Sequence, residues 1–127
     1  MAFKFSQRSM NNLEGVHEDL VRVVKRALEI TEVDFMVLEG LRSVTRQAEL
    51  VKSGASTTMN SRHLSGKAVD LVALVGGKVT WQPKIYDKIE KAMKQAAKEL
   101  SVPIVYGGDW ETFKDLVHFE LSRKFYP

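Results

Sequence analysis

Apolar residues recur at helical spacing in the first third of the chain. Leu13, Val16, Leu20, Val23, Val24, Ala27 and Leu28 share one face, and Glu18, Arg22, Lys25, Arg26 and Glu29 share the other. This pattern predicts an amphipathic helix over about Leu13 to Glu29. The period then shortens to that of a strand from Val33 to Leu38, ending at Glu39-Gly40. A short helix is expected over Thr45 to Lys52, with Gly54 as its stop. Ala55 to Gly66 is rich in Ser, Thr, Asn and Gly and reads as an irregular loop. Ala68 to Val75 is a β-branched run and predicts a strand, with Gly76-Gly77 as a hairpin turn and Lys78 to Trp81 as the return. Pro83 opens a long helix to Leu100, since proline is tolerated in a first helical turn. Its Lys84, Lys88, Lys91, Lys94 and Lys98 form one stripe, opposite Ile85, Ile89, Ala92, Met93, Ala96 and Leu100. That stripe reads as a solvated face, with weak attraction to an anionic wall as the sharper alternative. Ile104 to Tyr106 and Val117 to Leu121 read as short strands around a Gly107-Gly108-Asp109-Trp110 loop.

Helices thus alternate irregularly with hairpin-like strands, without a βαβ rhythm. The expected class is α+β, a small antiparallel sheet with about three helices packed beside it. A chain of 127 residues suits one domain over 1–127, and 44% apolar with 28% charged residues is ordinary for a globular core. There is no cysteine, so a metal site must use nitrogen and oxygen ligands. No stretch has the length of a membrane span, and the N-terminus offers no apolar core for a signal peptide. Synthesis in a cytoplasm without membrane insertion is expected, so an outside substrate requires another agent to open the way. The net charge of +3 favours anionic surfaces without specifying one. No stacking-aromatic or recognition motif accompanies it, so no nucleic-acid partner is expected. A monomer is expected.

The chemistry concentrates in Ser61-Arg62-His63-Leu64-Ser65-Gly66-Lys67-Ala68-Val69-Asp70 and in Asp115-Leu116-Val117-His118-Phe119-Glu120. A carboxylate inside an apolar strand, as Asp70 is, must be paired. His63 can converge on it where the loop enters the strand. In a strand, His118 and Glu120 point one way while Val117, Phe119 and Leu121 point the other. Two imidazoles and a carboxylate leave an open position on a metal, and Asp115 falls outside the strand's alternation, free to act as a base. Glu120 reads either as an acceptor behind a ligand histidine or as a surface charge. His17, at the edge of the first helix's apolar face, reads as a half-buried structural histidine.

Ser61-x-His63-x-x-Gly66-x-Ala68-x-Asp70 with Asp115-x-x-His118 resembles the VanY-like zinc peptidases, a family of D-Ala-D-Ala carboxypeptidases and phage endolysins. Glu39-Gly40-Leu41-Arg42-Ser43, Arg46-Gln47, Gly107-Gly108-Asp109-Trp110 and His118-Phe119-Glu120 extend the likeness over nearly the whole chain. Within that family it is most similar to the L-alanyl-D-glutamate endopeptidases that cut peptidoglycan stem peptides. The resemblance implies a hedgehog/D-Ala-D-Ala peptidase-like fold with a zinc site on the sheet face. It implies one Zn2+ per chain on His63, Asp70 and His118, and Asp115 as the acid/base that activates the zinc-bound water. It implies that Arg42 holds the substrate carbonyl or its oxyanion, that Ser61 orders the loop or touches substrate, and that Gln47 supports Arg42. Trp110 and Glu120 join the substrate-binding or supporting set. The partner implied is bacterial peptidoglycan, reached after membrane permeabilisation, as by a holin. A D-Ala-D-Ala carboxypeptidase or dipeptidase, and a non-catalytic zinc domain of hedgehog type, are the alternatives.

Overall fold

The structure, a computed structural model, describes residues 3–127. Residues 1 and 2, part of the N-terminal segment in which no signal-peptide core is expected, lie outside the described residues. Helices α1 (Gln7–Asn12) and α2 (Glu18–Ile30) precede strand β1 (Asp34–Glu39) and helix α3 (Val44–Lys52). A single 3₁₀ turn (Arg62–Ser65) leads into β2 (Ala68–Val75), β3 (Lys78–Thr80) and helix α4 (Pro83–Leu100). Strand β4 (Ile104–Tyr106), a second 3₁₀ turn (Gly107–Asp109) and β5 (His118–Leu121) complete the chain. All strand pairs are antiparallel, in the order β1-β2-β5-β4 with β3 also on β2. The α+β expectation is met, with four α-helices among the described residues where about three were anticipated.

The extra helix is a correction to the first element. The apolar stripe from Leu13 is real, since Leu13 and Val16 are buried, but the helix over Leu13 to Glu29 is broken. Gly15 adopts φ +79, a left-handed conformation that suits glycine, and the chain re-enters a helix only at Glu18. His17 caps that helix, its Nδ1 accepting from Asp19 N at 3.0 Å, and its ring packs edge-on against Tyr126. It is half-buried and structural, as expected, but as a cap.

Helices α2 and α4 cover one face of the sheet. Leu20, Val23, Val24 and Ala27 of α2 and Ile89, Met93 and Ala96 of α4 are wholly buried. They meet Phe35 and Val37 of β1, Val69, Leu71 and Ala73 of β2, and Phe119 and Leu121 of β5. Each large side chain so buried contributes about 1.5–3 kcal/mol of transfer free energy. The short α1 protects the outer edge of β1: Ser9 Oγ accepts from Val37 N at 3.1 Å, and Asn12 Nδ2 donates to Val37 O at 2.9 Å. The lysine stripe of α4 is partly neutralised within the molecule. Lys88 and Lys91 pair with Glu32, and Lys94 pairs with Glu90 and Asp109.

The other face of the sheet carries the polar residues. Strand alternation puts Asp70 of β2 and His118 and Glu120 of β5 on it, with Asp70 directly opposite His118 and Ala68 opposite Glu120. On its other side, Asp70 is opposite Glu39 rather than Leu38, because the register shifts between Val37 and Glu39. That bulge at Leu38 turns Glu39 away from the core parity and onto the face of Asp70.

Candidate metal centre and its cavity

His63 is aimed by the 3₁₀ turn. Ser61 caps it, its Oγ accepting from His63 N at 3.2 Å, and Gly66 ends it with φ +69. A Cβ at Gly66 would collide with the carbonyl oxygen of Gly15, so the turn can dock there only as glycine. His63 Nδ1 then donates to Gly40 O at 2.8 Å, and its Nε2 faces Asp70 Oδ1 at 3.1 Å. From β5, His118 Nδ1 faces the same oxygen at 3.3 Å, while its Nε2 donates to Glu120 Oε1 at 2.8 Å.

These contacts decide the tautomers. A backbone carbonyl only accepts, so Nδ1 of His63 carries the hydrogen; an ionised carboxylate only accepts, so Nε2 of His118 carries it. In the neutral rings, the remaining lone pairs of both histidines therefore point at a carboxylate oxygen. Acceptors cannot face acceptors stably in a buried site, so a cation belongs between them. The ligand atoms of His63, Asp70 and His118 lie within 4.8 Å of one another, and all three residues are buried. This group could hold a metal ion, with both outer ring nitrogens already tied back to acceptors, as metal-ligating imidazoles usually are.

Without a metal, a proton takes that role. Burial works against charge on His118, but its hydrogen bonds to Asp70 and Glu120 outweigh it and push the imidazole up to about 9. Burial likewise opposes the charge of Asp70, yet the bonds with His118 and His63 hold its carboxyl well below the usual range. Glu120 is also lowered, against the effect of burial, by His118 and by the neighbouring Arg123 and Arg62.

Asp115 lies in the turn before β5, as its spacing implied. Its N–H donates to Gly107 O at 3.0 Å and its carbonyl accepts from His118 N at 3.3 Å. A Cβ at Gly107 would press on Asp115 and His118 together, so this approach depends on glycine. Burial first, and the charge of Asp70 second, raise the carboxyl of Asp115 above its ordinary value.

Arg42 is buried in a network. Its Nε and Nη2 donate to the two oxygens of Glu39 at 2.7 and 2.8 Å, and its Nη1 donates to Gln47 Oε1 at 2.8 Å. Nη2 also reaches Asp70 Oδ2 at 3.5 Å. Gln47 is wholly buried behind Arg42, donating to Ser56 Oγ and Thr58 O, so it supports the arginine.

A cavity of about 640 Å³ opens on this cluster. Arg42, Ser61, Asp115 and Glu120 line it with the three candidate ligands, and so does Trp110, whose ring centroid is 5.1 Å from that of His118. All the site residues expected from the sequence except Gln47, which lies behind Arg42, therefore line one cavity. Glu39, Arg62 and Gly107 stand in the stretches that carry the resemblance but had no role assigned from the sequence, and the wall residues Phe113, Lys114 and Arg123 were not foreseen. Phe113 had no signal in the pattern: it is 78% exposed with φ +53, a strained conformation for an aromatic residue. Another hollow, of about 650 Å³, lies between the end of α4 and Phe125; it is apolar and remote from this cluster.

A family model for phage L-alanyl-D-glutamate peptidases matches residues 1–127. The chain belongs to that family. The L-alanyl-D-glutamate peptidase of Escherichia phage T5 is 34% identical over 130 residues, covering 99% of this chain and 94% of the relative. The crystal structure of Serratia marcescens L-Ala D-Glu endopeptidase ChiX has a TM-score of 0.93 at 48% identity, over 99% of this chain and 95% of that one. The vancomycin-resistance D,D-dipeptidase VanXYg shares the fold alone, with a TM-score of 0.55 at 19% identity over 84% of this chain and 50% of its own.

Proposed function

We propose that this protein is a zinc-dependent peptidoglycan endopeptidase of phage endolysin type, cutting the L-Ala–D-Glu bond of stem peptides. One observation carries the reading: two histidine lone pairs and a carboxylate converge at the floor of a cavity, beside a half-buried carboxyl, Asp115. The family membership of the whole chain supports the bond assignment.

His63, Asp70 and His118 would hold the ion, and nitrogen with oxygen ligands and no thiolate suit zinc. Bound at an open three-ligand site, zinc supplies Lewis acidity that polarises a carbonyl and acidifies water. Asp115 accepts the proton of the attacking water and returns it to the departing D-Glu nitrogen. Its raised affinity for protons suits both halves of that exchange. Arg42 has five N–H donors, and four are committed to Glu39, Gln47 and Asp70. The remaining one meets the oxygen on which negative charge develops. Glu120 holds the His118 ring in its ligating tautomer, Ser61 orders the turn that carries His63, and Trp110 walls the cavity over His118.

A single catalytic domain over residues 1–127 acts as a monomer on the cell wall, without nucleic acid. It reaches the wall after the host membrane is permeabilised, as by a holin; no helix among the described residues is long and apolar enough to cross a membrane itself. Digestion of purified walls, with and without chelator, tests the reading by mass spectrometry of the products. New L-Ala carboxyl and D-Glu amino ends are expected, lost with chelator and restored by zinc. Intact stem peptides, or release of free D-Ala instead, would refute it.

A further inference from the structure

A glutamyl residue joined through its nitrogen to alanine and through one carboxyl to the next residue keeps its other carboxylate free. That anion must come close to Asp70, Asp115 and Glu120, so the cavity has to supply a cation for it. Four cationic side chains line the cavity: Arg42, Arg62, Lys114 and Arg123. Arg42 commits four of its donors to Glu39, Gln47 and Asp70 and keeps its fifth for the reacting carbonyl. Arg62 is buried; its Nη2 donates to Leu121 O at 3.0 Å and Tyr126 O at 2.6 Å, and its Nε faces Glu120 at 3.7 Å. Neither can turn to a ligand without leaving buried acceptors unpaired.

The other two are available. Lys114 has no ion pair or hydrogen bond among the described residues. Arg123 comes no nearer to Glu120 than 3.7 Å, at its Nε, makes no side-chain hydrogen bond among the described residues, and has a side chain 60% exposed, so its guanidinium can turn to a ligand. Their position is equally telling. A line of contacts crosses the site from Arg42 through Asp70, His118 and Glu120 to Arg123. Arg42 stands at the carbonyl end of that line. Lys114 immediately precedes Asp115, the proton donor to the leaving nitrogen, and that nitrogen belongs to the glutamyl residue.

We propose that Lys114 and Arg123 grip the free carboxylate of the leaving glutamyl residue and thereby set substrate preference. The proposal rests on the peptidase reading above and adds a specificity device to it. Two synthetic peptides test it, one carrying the L-Ala–D-Glu bond with the free carboxylate and one with that carboxylate converted to a carboxamide. The wild type should cleave the acid with a kcat/KM roughly ten- to a hundredfold above the amide, because the amide leaves the site's cations unpaired. In the K114Q/R123Q double variant the ratio should fall to within about threefold, because the loss falls chiefly on the acid, whose partners are gone, with both peptides assayed at saturating zinc. The single variants apportion the grip between the two residues. A double variant that keeps the wild-type ratio overturns the proposal, as does a wild type that cleaves both peptides equally. Cleavage of neither peptide by the zinc-loaded wild type would sink the peptidase reading, and this proposal with it.

Discussion

Glutamine at position 120 asks whether the carboxylate behind His118 governs metal capture. In the native site, Oε1 of Glu120 accepts from His118 Nε2 at 2.8 Å, while Oε2 lies 3.7 Å from the Nε atoms of both Arg62 and Arg123. Oε1 thus accepts a hydrogen bond, while Oε2 faces two guanidinium groups as an ion-pair partner beyond hydrogen-bond distance. A carboxamide offers one accepting oxygen and one donating nitrogen. With its oxygen towards His118, its NH2 confronts two guanidinium groups. With its oxygen towards the arginines, its NH2 favours the His118 tautomer that carries hydrogen on Nδ1, where the lone pair for a metal should be. The substitution thus fails on one side or the other. Loss of a hydrogen bond to a charged group costs about 1.5–3 kcal/mol. Removing the outer partner of a ligating histidine typically weakens metal affinity about ten- to a hundredfold, or about 1.4–2.8 kcal/mol. The two figures agree, so the zinc dissociation constant of Glu120→Gln should rise by that factor. Competition with a chromophoric chelator measures it, and the circular dichroism spectrum should stay native, because Glu120 is no part of the apolar core. A zinc affinity within about twofold of wild type would refute the assignment of Glu120 as the orienting partner.

Asp115→Asn should lower kcat by at least about a hundredfold while leaving zinc affinity near wild type. Because burial and Asp70 raise the Asp115 carboxyl, its ionised form burdens the native state at neutral pH, so the variant's melting temperature should not fall. Undiminished turnover would remove Asp115 from the mechanism. In the zinc-free protein, His118 is held up to about 9, above its ordinary 6.5. Its contribution to stability is therefore complete below pH 6.5 and is lost as pH rises through about 9; urea midpoints in chelator should decline across that window, and a flat profile would contradict the pairing. The same proton must leave before a metal binds, so apparent zinc affinity should increase with pH up to that range. Ser101 ends α4 at φ +57, where a glycine avoids the steric penalty of a Cβ. Ser101→Gly should stabilise the fold by about 0.5–2 kcal/mol in urea denaturation without affecting activity; destabilisation would count against the cap.

Elements governed by local chemistry could be read from the chain alone. The β-branched run Ala68–Val75, the proline-opened helix Pro83–Leu100 and the strand Ile104–Tyr106 have the expected bounds. So could the convergence of His63, Asp70 and His118, since an acid buried in a strand needs partners and two spaced histidines offered them. Misread features depend on contacts distant in sequence. The apolar stripe from Leu13 continues through a break at Gly15, where Gly66 packs against the Gly15 carbonyl, and a helical wheel cannot register such a meeting. Arg42 could be picked out as a candidate cation, but its commitment to Glu39 and Gln47 could not. Glu39 reads as the end of a strand, and only pairing with β2 reveals the bulge that brings it to the site.

That bulge shows how the sheet acts as a ruler for the chemistry. Strand pairing alone sets Asp70 opposite His118, which fixes two candidate ligands at the separation of a cross-strand pair. On the other flank, an unbroken register would oppose Leu38 to Asp70 and send Glu39 to the core side with Val69. The extra residue reverses that parity, so the carboxylate that clamps Arg42 stands next to the carboxylate that Arg42 helps to neutralise. Glu39 thereby satisfies most of the guanidinium, leaving Arg42 attached to Asp70 by its weakest contact. A stronger Arg42–Asp70 pair would compete with a metal for the carboxylate, and no pair at all would leave Oδ2 of Asp70 without a partner. The compromise is set by one inserted residue in β1, in the same way that Gly107 sets the approach of Asp115 to His118.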